Sequence, residues 1–289
     1  MAPEYPAERP LAMSPQPLAS TDPDLRSRVD RLFFDVDDTL TWRGQLPEVA
    51  ALALYKARAA GLSLVAVTGR SFAWAEMLMR MFPLDAAVAE TGACALVRSR
   101  SSSESDRLEV IHTEPDDATR RDLAHDRMSA CDRVLREVAT ARLALDNPGR
   151  LYDSAFDLIE SGPPLSAQDA ELIRSILHEE GLTTAQSSVH VNTWKIGPHG
   201  PFDKATMVDR VLRQRFGSSL DAAGATLCYV GDSQNDGAMF ARAAVSVGVG
   251  NIEPHLEALE QKGQAPRYRV DGNGGRGFAE VVAALLEDR

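Results

Sequence analysis

Asp35-Val36-Asp37-Asp38-Thr39 follows the apolar run Leu32-Phe33-Phe34. A carboxylate therefore stands at the end of an expected buried strand, and a second, Asp37, falls two residues later where a turn begins. Both can face one cleft without both remaining in the strand. One carboxylate can attack phosphorus while the other handles the leaving group's proton. A bare carboxylate approaching a phosphate anion is repelled, and Mg²⁺ held by hard oxygen ligands relieves that repulsion. Asp232, just past the apolar run that ends at Val230, is the expected third acidic group; Asp236 can hold the metal or its water, and Asn235 can orient a ligand or the loop.

An Asp-rich turn after a strand is, taken alone, more often an ordinary loop or a simple metal-binding surface. Here it is joined by Thr68 at another strand end and Lys204 ahead of a helix. The hydroxyl can donate to a phosphoryl oxygen, and the ammonium can offset charge and restrain the nucleophile.

These groups need a scaffold. Leu32–Phe34 and Leu62–Val67 are expected strands, Pro47–Ala60 and Ala73–Met81 are expected helices, and Gly61 stops the first helix. That rhythm is the one a parallel α/β sheet produces. The polar stretch from Arg98 to Ser105 predicts a loop leaving the first domain. Beyond it, strands near Leu108–Ile111, Leu151–Ile159 and Ser188–Trp194, with helices over Asp117–Thr140 and Ala170–Glu179, make a smaller α+β insert. The second of those helices opens on a capping box, Ser166 to Asp169. After Gly197-Pro198-His199-Gly200-Pro201 the α/β rhythm returns: a helix from Lys204 to Arg215, strands over Thr226–Val230 and Val245–Val249, and a helix over Asp236–Ala243 between them. Strand ends of such a sheet carry its ligand loops. No dinucleotide fingerprint or Walker loop is present in the Gly-rich pieces.

Composition narrows the classes. With 289 residues, 44% of them apolar, the chain is expected to hold two packed domains. A net charge of −11 argues against a nucleic-acid coat but leaves a small anionic substrate open. Cys94, Cys131 and Cys228 lack zinc or disulfide spacing and are expected as reduced thiols. Residues 1–28, with six prolines, are expected as an extended, disordered leader without a signal core or membrane span. Cytoplasmic residence is the default expectation.

The ordered set of motifs resembles the haloacid dehalogenase superfamily, in its Mg²⁺-dependent phosphatase branch with a large α/β cap, the Cof and sucrose-phosphatase type. The first motif is matched by Phe33 to Leu40, the second by Val65-Ala66-Val67-Thr68-Gly69-Arg70, the third by Lys204 in Phe202-Asp203-Lys204-Ala205, and the fourth by Gly231 to Asp236. The resemblance runs from Val29 to Leu286 and implies a Rossmann-like parallel-sheet core, residues 29–97 and 198–289, with an inserted cap at 98–197. It implies that Asp35 is the nucleophile and Asp37 the acid/base. The metal would take Asp35, the backbone oxygen of Asp37 and Asp232, with Asp236 close by, while Thr68 and Lys204 would hold the phosphoryl group. Glu90-Thr91-Gly92-Ala93 resembles the family's Glu-Asn-Gly-Ala loop beside the substrate entrance, with Thr91 standing where the family usually has Asn. Gly274–Glu280 also resembles cap-containing sugar-phosphate phosphatases, though loop closure and helix packing explain its glycines as well.

The expected activity is hydrolysis of a small sugar or polyol phosphate through an aspartyl-phosphate. A phosphosugar mutase using the same two aspartates is the enzyme alternative, and a noncatalytic sugar-phosphate-binding protein is the alternative of another class. No nucleic-acid or membrane partner is expected, and monomer and homodimer stay open. In the insert, strand alternation puts His190 and Asn192 on one face and Val189 and Val191 on the other. His190 and Asn192 are thus candidates for substrate contact, and so is Lys195 if the loop that follows turns inward. Arg70 is either a phosphate ligand or a salt-bridged support; Trp42 and Trp74 read as packing, and His199 as a loop residue.

Overall fold

The computed structural model describes residues 14–99, 107–187 and 189–287. The first part holds β1 (Gln16–Pro17), α1 (Pro23–Ser27), β2 (Arg31–Phe34), α2 (Glu48–Ala59), β3 (Ser63–Val67), α3 (Phe72–Met81), β4 (Ala86–Ala89), β5 (Cys94–Arg98) and β6 (Leu108–His112). The middle holds α4 (Asp117–Glu137), β7 (Asp153–Asp157), α5 (Ala167–Glu179), β8 (Thr183–Gln186) and β9 (His190–Trp194). The last part holds α6 (Lys204–Val211), α7 (Leu220–Ala223), β10 (Leu227–Gly231), α8 (Gly237–Phe240), β11 (Val245–Gly248), α9 (Leu256–Gln261), β12 (Tyr268–Arg269) and α10 (Gly274–Leu286).

Among the described residues the large sheet runs β1-β12-β11-β10-β2-β3-β4-β5-β6. It is parallel from β1 to β4 and antiparallel where β5 and β6 join. Its central strands are unbroken apolar runs because both faces are covered. Phe34, Ala66 and Val230 pack under α2 and α10, while Phe33, Val65 and Tyr229 pack under α6 and α8. α2 ends where expected, with Gly61 supplying φ +86° just past the helix.

The smaller sheet, β7-β9-β8, is antiparallel. Phe156 and Val191 turn one face onto Ala130, Cys131 and Val134 of α4 and Ile173, Ile176 and Leu177 of α5. The alternation expected across Val189–Asn192 is what puts Val191 there. Ser166 caps α5 by accepting the Asp169 N–H at 3.0 Å. All three cysteines are free and buried.

Two segments differ from the sequence-based expectation. Residues 14–28 belong to the fold rather than to an extended leader: Gln16–Pro17 pairs with Tyr268–Arg269, and Leu18 is buried in the main core. A proline is compatible with an outermost strand, where its missing donor costs no ladder bond. Residues 1–13 lie outside the described residues. The strand expected in the insert at Leu108–Ile111 runs over Leu108–His112, is the outer strand of the large sheet and pairs with Cys94–Arg98. Period-two patterning marks a strand but not the sheet it joins. Most of the polar loop expected at 98–105 lies outside the described residues.

No helix among the described residues is long and apolar enough to cross a membrane.

Candidate active site

Asp35 is the first residue past β2, and its N–H donates to the Val230 carbonyl at 2.9 Å, which locks the turn to the neighbouring strand. Thr68 follows β3, Asp232 follows β10, and Lys204 opens α6 behind an Asp203 cap. β2 lies between β10 and β3, so three strand ends and one helix start converge on one crevice.

Lys204 is buried, with Nζ 2.6 Å from Asp35 Oδ1 and 2.8 Å from Asp236 Oδ1. Asp236 is held further: its Oδ1 accepts the Tyr229 hydroxyl at 2.6 Å, and its Oδ2 accepts the N–H groups of Asp232 and Ser233, each at 3.1 Å. Asp232 Oδ1 accepts the Thr39 hydroxyl and its Oδ2 the Asn251 amide, both at 3.1 Å. Burial pushes the Asp35 carboxyl up to about 7 against the pull of Lys204. Burial, reinforced by Asp35 and Asp236, also holds the Asp232 carboxyl well above its usual range. Burial opposes the Lys204 charge, yet Asp236 and Asp35 keep its ammonium above the ordinary lysine range.

Asp35, Asp232 and Asp236 each offer an oxygen within 4.8 Å of the others. Three buried carboxylates face one ammonium, an imbalance that a hard dication with oxygen ligands would correct. The donor set therefore fits Mg²⁺. The Asp37 carboxylate is not in this group, because both of its oxygens accept from Arg70 at 2.8 to 2.9 Å.

A cleft of about 460 Å³ opens over the cluster. Asp35, Asp37, Lys204, Asp232 and Asn235 border it from the large sheet, with Gly69 and Thr91; His190 and Asn192 border it from the smaller one. Both of the latter also have protein partners. His190 Nε2 lies 2.8 Å from Glu160 Oε2, and Asn192 Nδ2 donates to Asp153 Oδ2 at 2.7 Å.

Three substrate candidates stand elsewhere. Lys195 lies away from this cleft and pairs with Asp126 of α4, because in the strand alternation it shares the parity of Val191, whose side faces that helix. Glu90 is fully buried and accepts the N–H groups of Phe72, Leu151, Tyr152 and Asp153 at 2.6 to 3.0 Å, so it ties the two sheets together. Burial and Asp153 push its carboxyl up to about 7. Arg70 is buried against Trp74, its guanidinium 5.0 Å from the ring, and forms ion pairs with Asp37 and Glu160. Thr68 is fully buried, its hydroxyl accepting the Arg70 N–H at 3.0 Å. His199 pairs with Glu114 beside a separate, smaller pocket.

Sequence reading missed Arg174, Gln186 and His255 on the cleft, and Asn251 behind Asp232. Asn251 follows an expected strand end, which is the signal that could have found it. Arg174 sits in an amphipathic helix, where a charge reads as a solvated face.

A family model for haloacid dehalogenase-like hydrolases matches residues 32–109. A phosphoglycolate phosphatase of Pyrobaculum islandicum is 27% identical over 259 residues, spanning 88% of this chain and 95% of the relative. Among solved structures, a Thermoplasma acidophilum protein superposes with a TM-score of 0.63 at 18% identity, covering 89% of this chain and 98% of that one. The sucrose-phosphatase of Synechocystis, solved with sucrose and phosphate, gives 0.57 at 18% identity, covering 88% and 97%. The matched stretch carries the first two strand ends of the crevice, and the likeness in fold extends over the rest, so the chain is similar to haloacid dehalogenase-like hydrolases in that stretch and shares the fold of these solved structures over most of its length.

Proposed function

We propose that this phosphatase hydrolyses a small sugar or polyol phosphate through an aspartyl-phosphate on Asp35. The observation that carries the reading is the buried Lys204 ammonium bridging Asp35 and Asp236 at the end of β2, beneath an open cleft. Lys204 occupies Asp35 Oδ1 and leaves Oδ2 to attack phosphorus. As the P–O bond to the alcohol breaks, the leaving oxygen takes its proton from Asp37. Asp37 then accepts a proton from the water that attacks the phosphoryl group and releases inorganic phosphate. Thr68 spends an oxygen lone pair on Arg70, so its hydroxyl hydrogen is available to a phosphoryl oxygen.

Asp35, Asp232 and the Asp37 backbone oxygen would hold Mg²⁺, with Asp236 behind them. When bound, the ion neutralises charge on the transferring group. The smaller sheet with α4 and α5, inside the insert expected at 98–197, acts as the cap: it covers the cleft, limits bulk water and contributes specificity. Amides and an imidazole on that cleft, from Gln186, Asn192 and His190, suit a hydroxylated alcohol. A cytoplasmic role accords with such substrates.

A second reading, the phosphate ester of a small carboxylated alcohol such as phosphoglycolate, is favoured by Arg174. Its Nε is buried without a hydrogen-bond partner among the described residues, and the side chain borders the same cleft. The two readings separate in one Mg²⁺-supported panel of glucose 6-phosphate, glycerol 3-phosphate and phosphoglycolate, following phosphate release and the organic product together. Phosphate release with free alcohol supports hydrolysis, whereas an isomeric phosphate without phosphate release means a mutase. Binding without turnover would leave only a binding protein. In this panel Arg174→Ala should lower kcat/KM about tenfold or more for phosphoglycolate alone if the second reading holds.

A further inference from the structure

Asp37 does not stand free at the cleft: Arg70 Nε lies 2.9 and 2.8 Å from its two oxygens, and Nη2 lies 2.8 Å from Oδ1. Arg70 is itself fixed, buried and stacked on Trp74. The other edge of its guanidinium is taken by Glu160, with Nη2 2.7 Å from Oε1 and Nη1 3.2 Å from Oε2. Glu160 comes from the loop after β7, on the insert. That loop is built in advance: buried Asp157 accepts the N–H groups of Ile159, Glu160 and Ser161 at 2.7 to 2.8 Å and is paired with Arg142. From the cleft side, His190 reaches Glu160 Oε2 at 2.8 Å.

We propose that Glu160 is a positioning residue of the insert that acts through Arg70 to set the Asp37 carboxyl for proton transfer. A guanidinium is a planar fork, so fixing one edge on Glu160 fixes the plane in which the other edge holds Asp37. Proton transfer needs its carboxyl within hydrogen-bond reach of the leaving oxygen, and displacements near 1 Å cost on the order of 10²-fold in rate. The smaller sheet therefore does more than cover the cleft. Its seating on Arg70 completes the acid/base, and His190 links the contents of the cleft to the same carboxylate. The proposal rests on the reading of Asp37 as the acid/base.

The test uses leaving-group basicity. An alkoxide needs a proton as it departs, whereas nitrophenolate departs with little help, so loss of acid assistance separates the two. kcat/KM, which covers steps through departure of the leaving group, is measured with Mg²⁺ for p-nitrophenyl phosphate. It is measured also for whichever of glucose 6-phosphate, glycerol 3-phosphate and phosphoglycolate the protein turns over fastest. Glu160→Ala is expected to lower the alkyl-to-aryl ratio about tenfold or more, a part of the roughly 10² to 10⁴ carried by acid/base assistance. Glu160→Gln keeps the volume and one accepting oxygen, should restore part of the ratio, and carries the comparison if the alanine variant does not fold. Equal losses on both substrates, or an unchanged ratio, would overturn the proposal. Asp37→Asn separates the two layers. If it collapses the ratio while the Glu160 variants do not, the positioning role fails alone; if it leaves the ratio unchanged, the reading of Asp37 fails with it.

Discussion

Thr91 occupies the left-handed region at φ +58°, ψ +22°, a conformation that a β-branched side chain adopts at a cost of roughly 1–2 kcal/mol. Asparagine, the residue usual at this place in the family that the loop resembles, tolerates that backbone far better. Thr91→Asn is therefore expected to stabilise the protein by about 1 kcal/mol, or ~2–4 °C in melting temperature. An unchanged or lower melting temperature would mean that the loop stores no such strain. The departure at Thr91 was legible in the sequence, and so were Asp35, Asp37, Asp232, Asp236 and Lys204, because their order along the chain follows strand ends and a helix start. Glu160 was not. It lies in the polar run Glu160-Ser161-Gly162, where nothing distinguishes a solvated carboxylate from one that meets an arginine ninety residues earlier.

At the level of elements, the loop after β4 controls the start of α6. Gly92, at φ +103°, lies so close to Asp203 that an added Cβ would sit 2.1 Å from its carbonyl oxygen and 2.8 Å from the Lys204 N. That contact sets the first turn of the helix that aims Lys204 at Asp35. Gly92→Ala is expected to destabilise the fold by roughly 2–4 kcal/mol, through both the backbone conformation and the clash. Urea unfolding measures it, and a midpoint within error of the parent would show that the loop moves aside freely. The elements themselves were readable where bulky or β-branched apolar residues recur, as in β2, β3, β10 and β11. β4 and β5 were not identified, since Ala86-Ala87-Val88-Ala89 has little of the β-branched character that marks a strand. β1 and β12, two residues each, offer no period to read and exist only through pairing at the sheet margin.

Over the whole molecule, the two sheets meet along polar contacts: buried Glu90 reaching the backbone at the start of β7, and Arg70 reaching the half-buried Glu160 carboxylate. The His190 hydrogen bond, aided by Arg70, holds the Glu160 carboxyl down at about 2 from its ordinary 4.5. A carboxyl depressed by folding stabilises the native state above the unfolded value and loses that contribution as pH falls through the folded one. The gap in melting temperature between parent and Glu160→Gln should thus be full at pH 6 and shrink as pH drops below 4.5 toward 2. A gap that widened with acid would contradict the ion pair across the seam. The parallel sheet was legible from the strand, helix, strand rhythm. The assignment of Leu108–His112 to the large sheet was not, because pairing partners are tertiary facts. The central claim, covalent catalysis by Asp35, is tested most directly by acid-quenching the Mg²⁺-loaded protein during turnover and locating phosphoryl label by peptide mass spectrometry. The expected result is label on the peptide containing Asp35, with neither label nor phosphate release in folded Asp35→Asn; phosphate release by that variant at the parent's rate would contradict the account.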